Sequence, residues 1–136
     1  MIEKTWADIY SRLDKMDFGE PEIVVAIGNG GIIPAALIQQ KLQLPMKIIT
    51  LNYRDESNAP KYEDAQLLET EPSTIIGKRI LLVDDVSRSG KTLNKAVEYL
   101  KGNNIKTCVI NGPADHSFYN ESECIKMPWK PPFLLT

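Results

Sequence analysis

Two consecutive acids, Asp84 and Asp85, close an apolar run, and Ser87-Arg88-Ser89-Gly90-Lys91-Thr92 follows before a helical pattern begins. Hydroxyls, a glycine and backbone N–H groups just ahead of a helix N-terminus make a ready anion site. The acids can accept hydrogen bonds from sugar hydroxyls or hold Mg²⁺, directly or through its water shell. A phosphate nest beside an acid pair therefore describes a ribose 5-phosphate ligand. The ending Gly90-Lys91-Thr92 looks like a nucleotide P-loop, but that motif needs a glycine where Asp85 stands. An ordinary serine-capped turn would explain one hydroxyl, not three hydroxyls, a glycine and two acids together.

A second candidate is Asn29-Gly30-Gly31, which also lies between an apolar run and a helical pattern. The remaining chemically capable side chains have plainer readings. His116, the chain's only histidine, reads as a solvated loop residue near Asp115. Cys108 lies in an apolar run and reads as core, and Trp6 as core or a dimer contact. The charges of Lys61-Tyr62-Glu63-Asp64 read as a solvated cluster. Cys108 and Cys124 have no metal-ligand spacing and are too few for a disulfide framework.

The elements that must position these residues follow from periodicity. Trp6, Ile9, Tyr10, Leu13 and Met16 recur at helical spacing, predicting a helix from about Thr5 to Met16. Glu22–Ile27, Met46–Leu51, Arg79–Asp85 and Lys106–Asn111 read as strands. Helices follow from Ile32, with Pro34 near the start, and from Thr92, closing at Gly102. Residues 52–78 are mostly polar and too long for a median loop, which predicts a functional or flexible connection with a short strand inside. The C-terminal segment reads as irregular, with an edge strand in Glu123–Met127. Apolar strands alternating with helices predict an α/β domain: a parallel sheet covered on both faces, with ligands beyond the strands' carboxyl ends.

Length predicts one domain, residues 1–136. The formal charge of −2 gives no general footprint for nucleic acid. No window is apolar enough to span a membrane, and the acidic, amphipathic N-terminus is unlike a targeting peptide. A cytoplasmic protein is expected.

With these residues in place, the chain resembles the type I phosphoribosyltransferases, and most of all their short xanthine-guanine (purine) branch. The thirteen residues Leu81–Leu93 resemble that family's motif for phosphoribosyl pyrophosphate (PRPP). Val24–Pro45 resembles its pyrophosphate loop and following helix, and Cys124–Lys130 the tail of the short members. The resemblance implies a Rossmann-like core with a C-terminal hood over about 112–136, and a homodimer. It implies a pentosyltransferase of purine salvage, with small-molecule substrates only: Mg²⁺-PRPP donates its phosphoribosyl group to a nitrogenous base, releasing pyrophosphate. The alternative is a regulatory protein that binds PRPP or a nucleotide without catalysis.

Residue by residue, the resemblance implies that Asp84 and Asp85 hold the ribose hydroxyls and Mg²⁺. Ser87, Arg88, Ser89, Gly90, Lys91 and Thr92 would clamp the 5′-phosphate. Asn29, Gly30 and Gly31 would line the pyrophosphate pocket, where the family often has a strained peptide ahead of the paired glycines. Tyr53 would belong to the loop that closes over the reacting centre, and Trp129 and Gly112 to the base pocket. Asp84, Asp85, Arg88 and Tyr53 form the expected catalytic set. Four positions depart from the branch: Asn29 replaces a cation, Arg88 an acid, Gly112 a base-reading lysine and Lys130 an acid. The motif thus names a donor more firmly than an acceptor.

Overall fold

The computed structural model describes residues 1–52, 66–67 and 75–130. Six strands form the main sheet in the order β4-β3-β2-β5-β6-β7. The central pair is β2 (Ile23–Gly28) beside β5 (Arg79–Val86); β3 (Met46–Asn52) and β4 (Gln66–Leu67) lie to one side, β6 (Asn104–Asn111) and β7 (His116–Tyr119) to the other. Five strands are parallel and β4 alone is antiparallel to its neighbour β3. A separate parallel pair joins β1 (Ile2–Glu3) to β8 (Ile125–Lys126). The expected parallel α/β core is therefore present.

Strand side chains alternate between two apolar layers, as the period of two requires. Val24, Ala26, Leu81, Val83, Cys108 and Ile110 face α1 (Trp6–Lys15) and α2 (Ile32–Leu42). Val25, Ile27, Ile80, Leu82 and Val109 face α3 (Lys91–Tyr99). Thr5 begins α1 through a capping box: its hydroxyl accepts from the Asp8 N–H, and the Asp8 carboxylate accepts from the Thr5 N–H. At the other end Lys41 reaches from α2 to the carbonyls of Leu13, at 2.7 Å, and Met16, at 2.6 Å. That ammonium satisfies acceptors the helix leaves open.

The path from β2 through α2 to β3 leads one way, and the path from β5 through α3 to β6 leads the other. The order reverses between β2 and β5, opening a crevice at their carboxyl ends, where doubly wound sheets bind ligands. Both loops singled out from the sequence start there.

Three expectations change. The segment after Asn111 is not wholly irregular: His116–Tyr119 is the outer strand of the main sheet, parallel to β6, after a return of only four residues. Parallel neighbours ordinarily need a dozen or more. Thr107 and Asp115 staple this return, with the Asp115 carboxylate accepting from the Thr107 N–H at 2.8 Å and the Thr107 hydroxyl accepting from the Asp115 N–H at 3.0 Å. The strand expected near Glu123–Met127 pairs with the N-terminus, not with the main sheet. His116 is half-buried with its ring edge against Phe18, 5.4 Å between centroids, rather than solvated. Cys108 is core, and burial pushes its thiol up to about 12.

Candidate functional site

Asp84 and Asp85 stand at the mouth of the crevice. Asp84 is almost buried, at 8% exposure, and Asp85 partly so. Both acids lie in the last residues of β5, and each carboxylate folds back onto the next backbone amide. The Asp84 carboxylate accepts from the Asp85 N–H at 2.8 Å, and the Asp85 carboxylate from the Val86 N–H at 2.7 Å. Burial first, and the Asp85 charge second, push the Asp84 carboxyl up to about 8. A cation between the acids would relieve that repulsion.

The Asn29-Gly30-Gly31 loop lies directly against this pair. A Cβ on Gly30 would fall 2.6 Å from the Asp85 carboxyl carbon, and one on Gly31 would fall 2.3 Å from the Val83 carbonyl oxygen. Only glycine lets the two loops touch. The peptide bond between Gly28 and Asn29, ahead of the paired glycines, is cis.

Beyond the acids, residues 86–93 wrap a cavity of about 200 Å³. Gly90 takes a left-handed conformation and introduces α3, whose first residues are Lys91 and Thr92. The Lys91 N–H donates to the Ser89 hydroxyl at 3.2 Å, which holds the loop in its curve. The Ser87 hydroxyl is buried and has no hydrogen-bond partner among the described residues. A buried hydroxyl in that state wants a ligand oxygen.

Gly112 supports this floor from below. A Cβ there would fall 2.0 Å from the Ser87 carbonyl oxygen, and its φ of +126° excludes most side chains. A side chain at this position therefore has no room unless the Ser87 backbone moves.

Arg88 and Lys130 belong to the join between floor and hood. The Arg88 guanidinium reaches the Ser122 carbonyl, at 3.4 Å, and the Cys124 sulfur, at 3.7 Å. Lys130 returns the contact, with its ammonium 3.9 Å from the Asp85 carboxylate. Asn111, fully buried at the end of β6, grips the same hood loop. It accepts from the Glu121 N–H at 2.8 Å and donates to the Glu121 and Glu123 carbonyls, at 3.4 and 3.2 Å. Sequence reading missed Asn111; its signal was an amide closing the apolar run Cys108–Ile110. Trp129 packs partly buried against the core and meets Trp6, 5.7 Å between ring centroids. Trp6 is 41% exposed and stacks on Tyr10, so it is a surface aromatic rather than core. Tyr53 and the Lys61–Asp64 cluster lie outside the described residues.

Asp84, Asp85, Ser87–Thr92 and Asn29–Gly31 thus converge on one crevice, roofed by residues 121–130. Two oxygen-donor carboxylates, one of them kept protonated chiefly by its own burial until a cation arrives, suit a hydrated Mg²⁺ that takes its remaining ligands from water and substrate. Among the described residues no third histidine, cysteine or acid joins them.

Comparison with known proteins agrees with this geometry. Residues 2–118 match the family model described as phosphoribosyl transferase domain. The transcriptional regulator GfcR of Methanococcus maripaludis is 32% identical over 79 residues, 58% of this chain and 38% of the regulator. Hypoxanthine-guanine phosphoribosyltransferase of Schizosaccharomyces pombe is 29% identical over 98 residues, 60% of this chain and 48% of the enzyme. The chain thus spans less than half the length of these curated relatives. In fold it is similar to the crystal structure of a purine phosphoribosyltransferase from Pyrococcus horikoshii, with a TM-score of 0.76, 24% identity and coverage of 96% and 93% of the two chains.

Proposed function

The chain belongs to the phosphoribosyl transferase domain family, and on that premise we propose that it binds PRPP with Mg²⁺ and transfers the phosphoribosyl group to a nitrogenous base. The observation that carries this reading is the buried, unpartnered Ser87 hydroxyl beside the Asp84–Asp85 pair. It supports a site made for phosphate and ribose in immediate succession.

In this reading the 5′-phosphate sits against the N–H groups of residues 88–92 and the Ser87 hydroxyl, with the α3 N-terminus behind it. Asp84 and Asp85 take the ribose 2′ and 3′ hydroxyls, and Asn29–Gly31 turns backbone dipoles toward the pyrophosphate. Asp84 and Asp85 would hold Mg²⁺, which when bound would neutralise charge on the departing pyrophosphate. As the C1–O bond to pyrophosphate breaks, positive charge develops on the ribose, and a base nitrogen attacks the other side of C1. The protein contributes position, preorganised donors and exclusion of water more than covalent chemistry. Asn29 brings no cation to the pyrophosphate, Gly112 leaves no base-reading lysine, Arg88 is spent on the hood and Lys130 on Asp85. The acceptor pocket accordingly differs from that of the purine branch.

A second reading, a PRPP-responsive regulator without turnover, is favoured by that same hood contact of Lys130 with Asp85. The similarity to a protein named as a transcriptional regulator supports it too. Pyrophosphate release from Mg²⁺-PRPP across a panel of purines, pyrimidines and anionic heterocycles separates the two. Turnover with any acceptor supports the enzyme; saturable PRPP binding without turnover supports the regulator. Absence of PRPP binding would overturn both.

A further inference from the structure

Away from the crevice, a groove of about 580 Å³ runs between α1 and the outer strand β7. Its charged lining is Lys4, Asp8, Arg12 and Lys15, with Ser117 and Tyr119 as its far wall. Asp8, Arg12 and Lys15 lie four and three residues apart, so they share one face of the helix. Lys4 is brought to the same place by backbone: its N–H donates to the Lys126 carbonyl at 3.2 Å, next to the β1–β8 pair.

The cations are not neutralised in the usual way. The Lys4 ammonium lies 4.1 Å and the Arg12 guanidinium 4.6 Å from the centroid of one ring, that of Tyr119. Cation–π attraction holds both charges in position, and although Lys4 also attracts the Asp8 carboxylate, positive charge remains in surplus. The only acid in the lining, Asp8, has its carboxylate accepting from the Thr5 N–H at 2.8 Å. The Tyr119 hydroxyl donates to the Asp8 carbonyl at 3.3 Å, fastening helix to strand. Three positive groups against one acid, in a chain whose formal charge is −2, mark a local reversal of charge around a cavity.

We propose that this groove is a second anion site, independent of the crevice, for a soluble ligand carrying two or more linked phosphates. Its volume exceeds what one phosphate fills and lies in the range of small-molecule sites. Two cations fixed over one ring match adjacent phosphates, while the partly exposed Met16 offers apolar surface to whatever carries them. A nucleic-acid backbone fits less well, because the cations are gathered at one cavity and the acids Glu3, Asp14 and Asp17 interrupt the sequence around them. The site lies outside the proposed PRPP contacts and does not depend on them.

The probe is inorganic tripolyphosphate, followed by backbone amide shifts in ¹⁵N-labelled protein. Saturable shifts at Lys4, Asp8, Arg12 and Tyr119 are expected, in addition to any at residues 87–92. Arg12→Glu should weaken the first set at least tenfold and leave the second unchanged; Lys15→Glu, which removes no ring contact, should weaken it several-fold. Both positions are solvent-exposed, and unchanged shifts elsewhere will certify the fold. Shifts confined to residues 87–92, an α1 response that does not saturate, or affinity unmoved by both variants would overturn the proposal. So would a short DNA duplex that binds the same face and is not displaced by tripolyphosphate.

Discussion

Asp84 sets the pH behaviour of the ligand-free protein. Its carboxyl is pushed up to about 8 when folded, mainly by burial, against an ordinary value near 3.8. Between those values the folded state keeps a proton that the unfolded chain gives up, so stability is fullest below pH 4 as far as this group is concerned. It is then lost as pH rises toward 8, on the order of a few kcal/mol across the window. Thermal unfolding at stepped pH without divalent ions should show Tm falling over that range, and Asp84→Asn should flatten the slope. Gly112 makes a different demand. Gly112→Ala would drive a methyl into the Ser87 carbonyl at a backbone angle alanine avoids. A loss of roughly 3 kcal/mol in denaturant unfolding is expected, while Gly19→Ala, whose positive φ opens on empty space, should cost less.

At the scale of elements, the hood depends on one buried amide. Asn111→Ala removes three hydrogen bonds to the 121–123 backbone. We expect about 2 kcal/mol of destabilisation and faster amide exchange of Glu121 than of the β5 strand. Lys41→Met tests the other inter-element tie: the carbonyls at the end of α1 lose their ammonium, with about 1 kcal/mol lost and fraying confined to residues 13–16. These ties also show what sequence could carry. The central strands, their helices and the two crevice loops were legible because apolar runs and glycine positions act locally. The β7 strand was not, because its parallel pairing with β6 after four residues breaks the usual length rule and leaves only His116–Tyr119 to announce it. The contacts of Asn111, Arg88 and Lys130 were not legible for a related reason: their partners lie 10 to 45 positions away, and nothing local records which carbonyl or carboxylate they will meet.

Across the whole molecule, the first residues meet the hood segment through a parallel pair only two residues long, Ile2 with Ile125 and Glu3 with Lys126. Almost the entire sequence lies between those partners, so their contact carries the largest loop-closure cost in the fold. The central strands can form from neighbouring segments; this clasp must wait for them. It should therefore be the last structure to form in refolding and the first to open in the native state. Pulse-labelling exchange would register late protection of the Ile2 and Lys4 amides, well after those of Leu81–Val83, and simultaneous protection would contradict that order. Because the clasp also holds the segment that roofs the crevice, the nascent chain would acquire its phosphate floor before its cover. Each refolding molecule would pass through a stage in which ligand can enter from above without any hinge having to move.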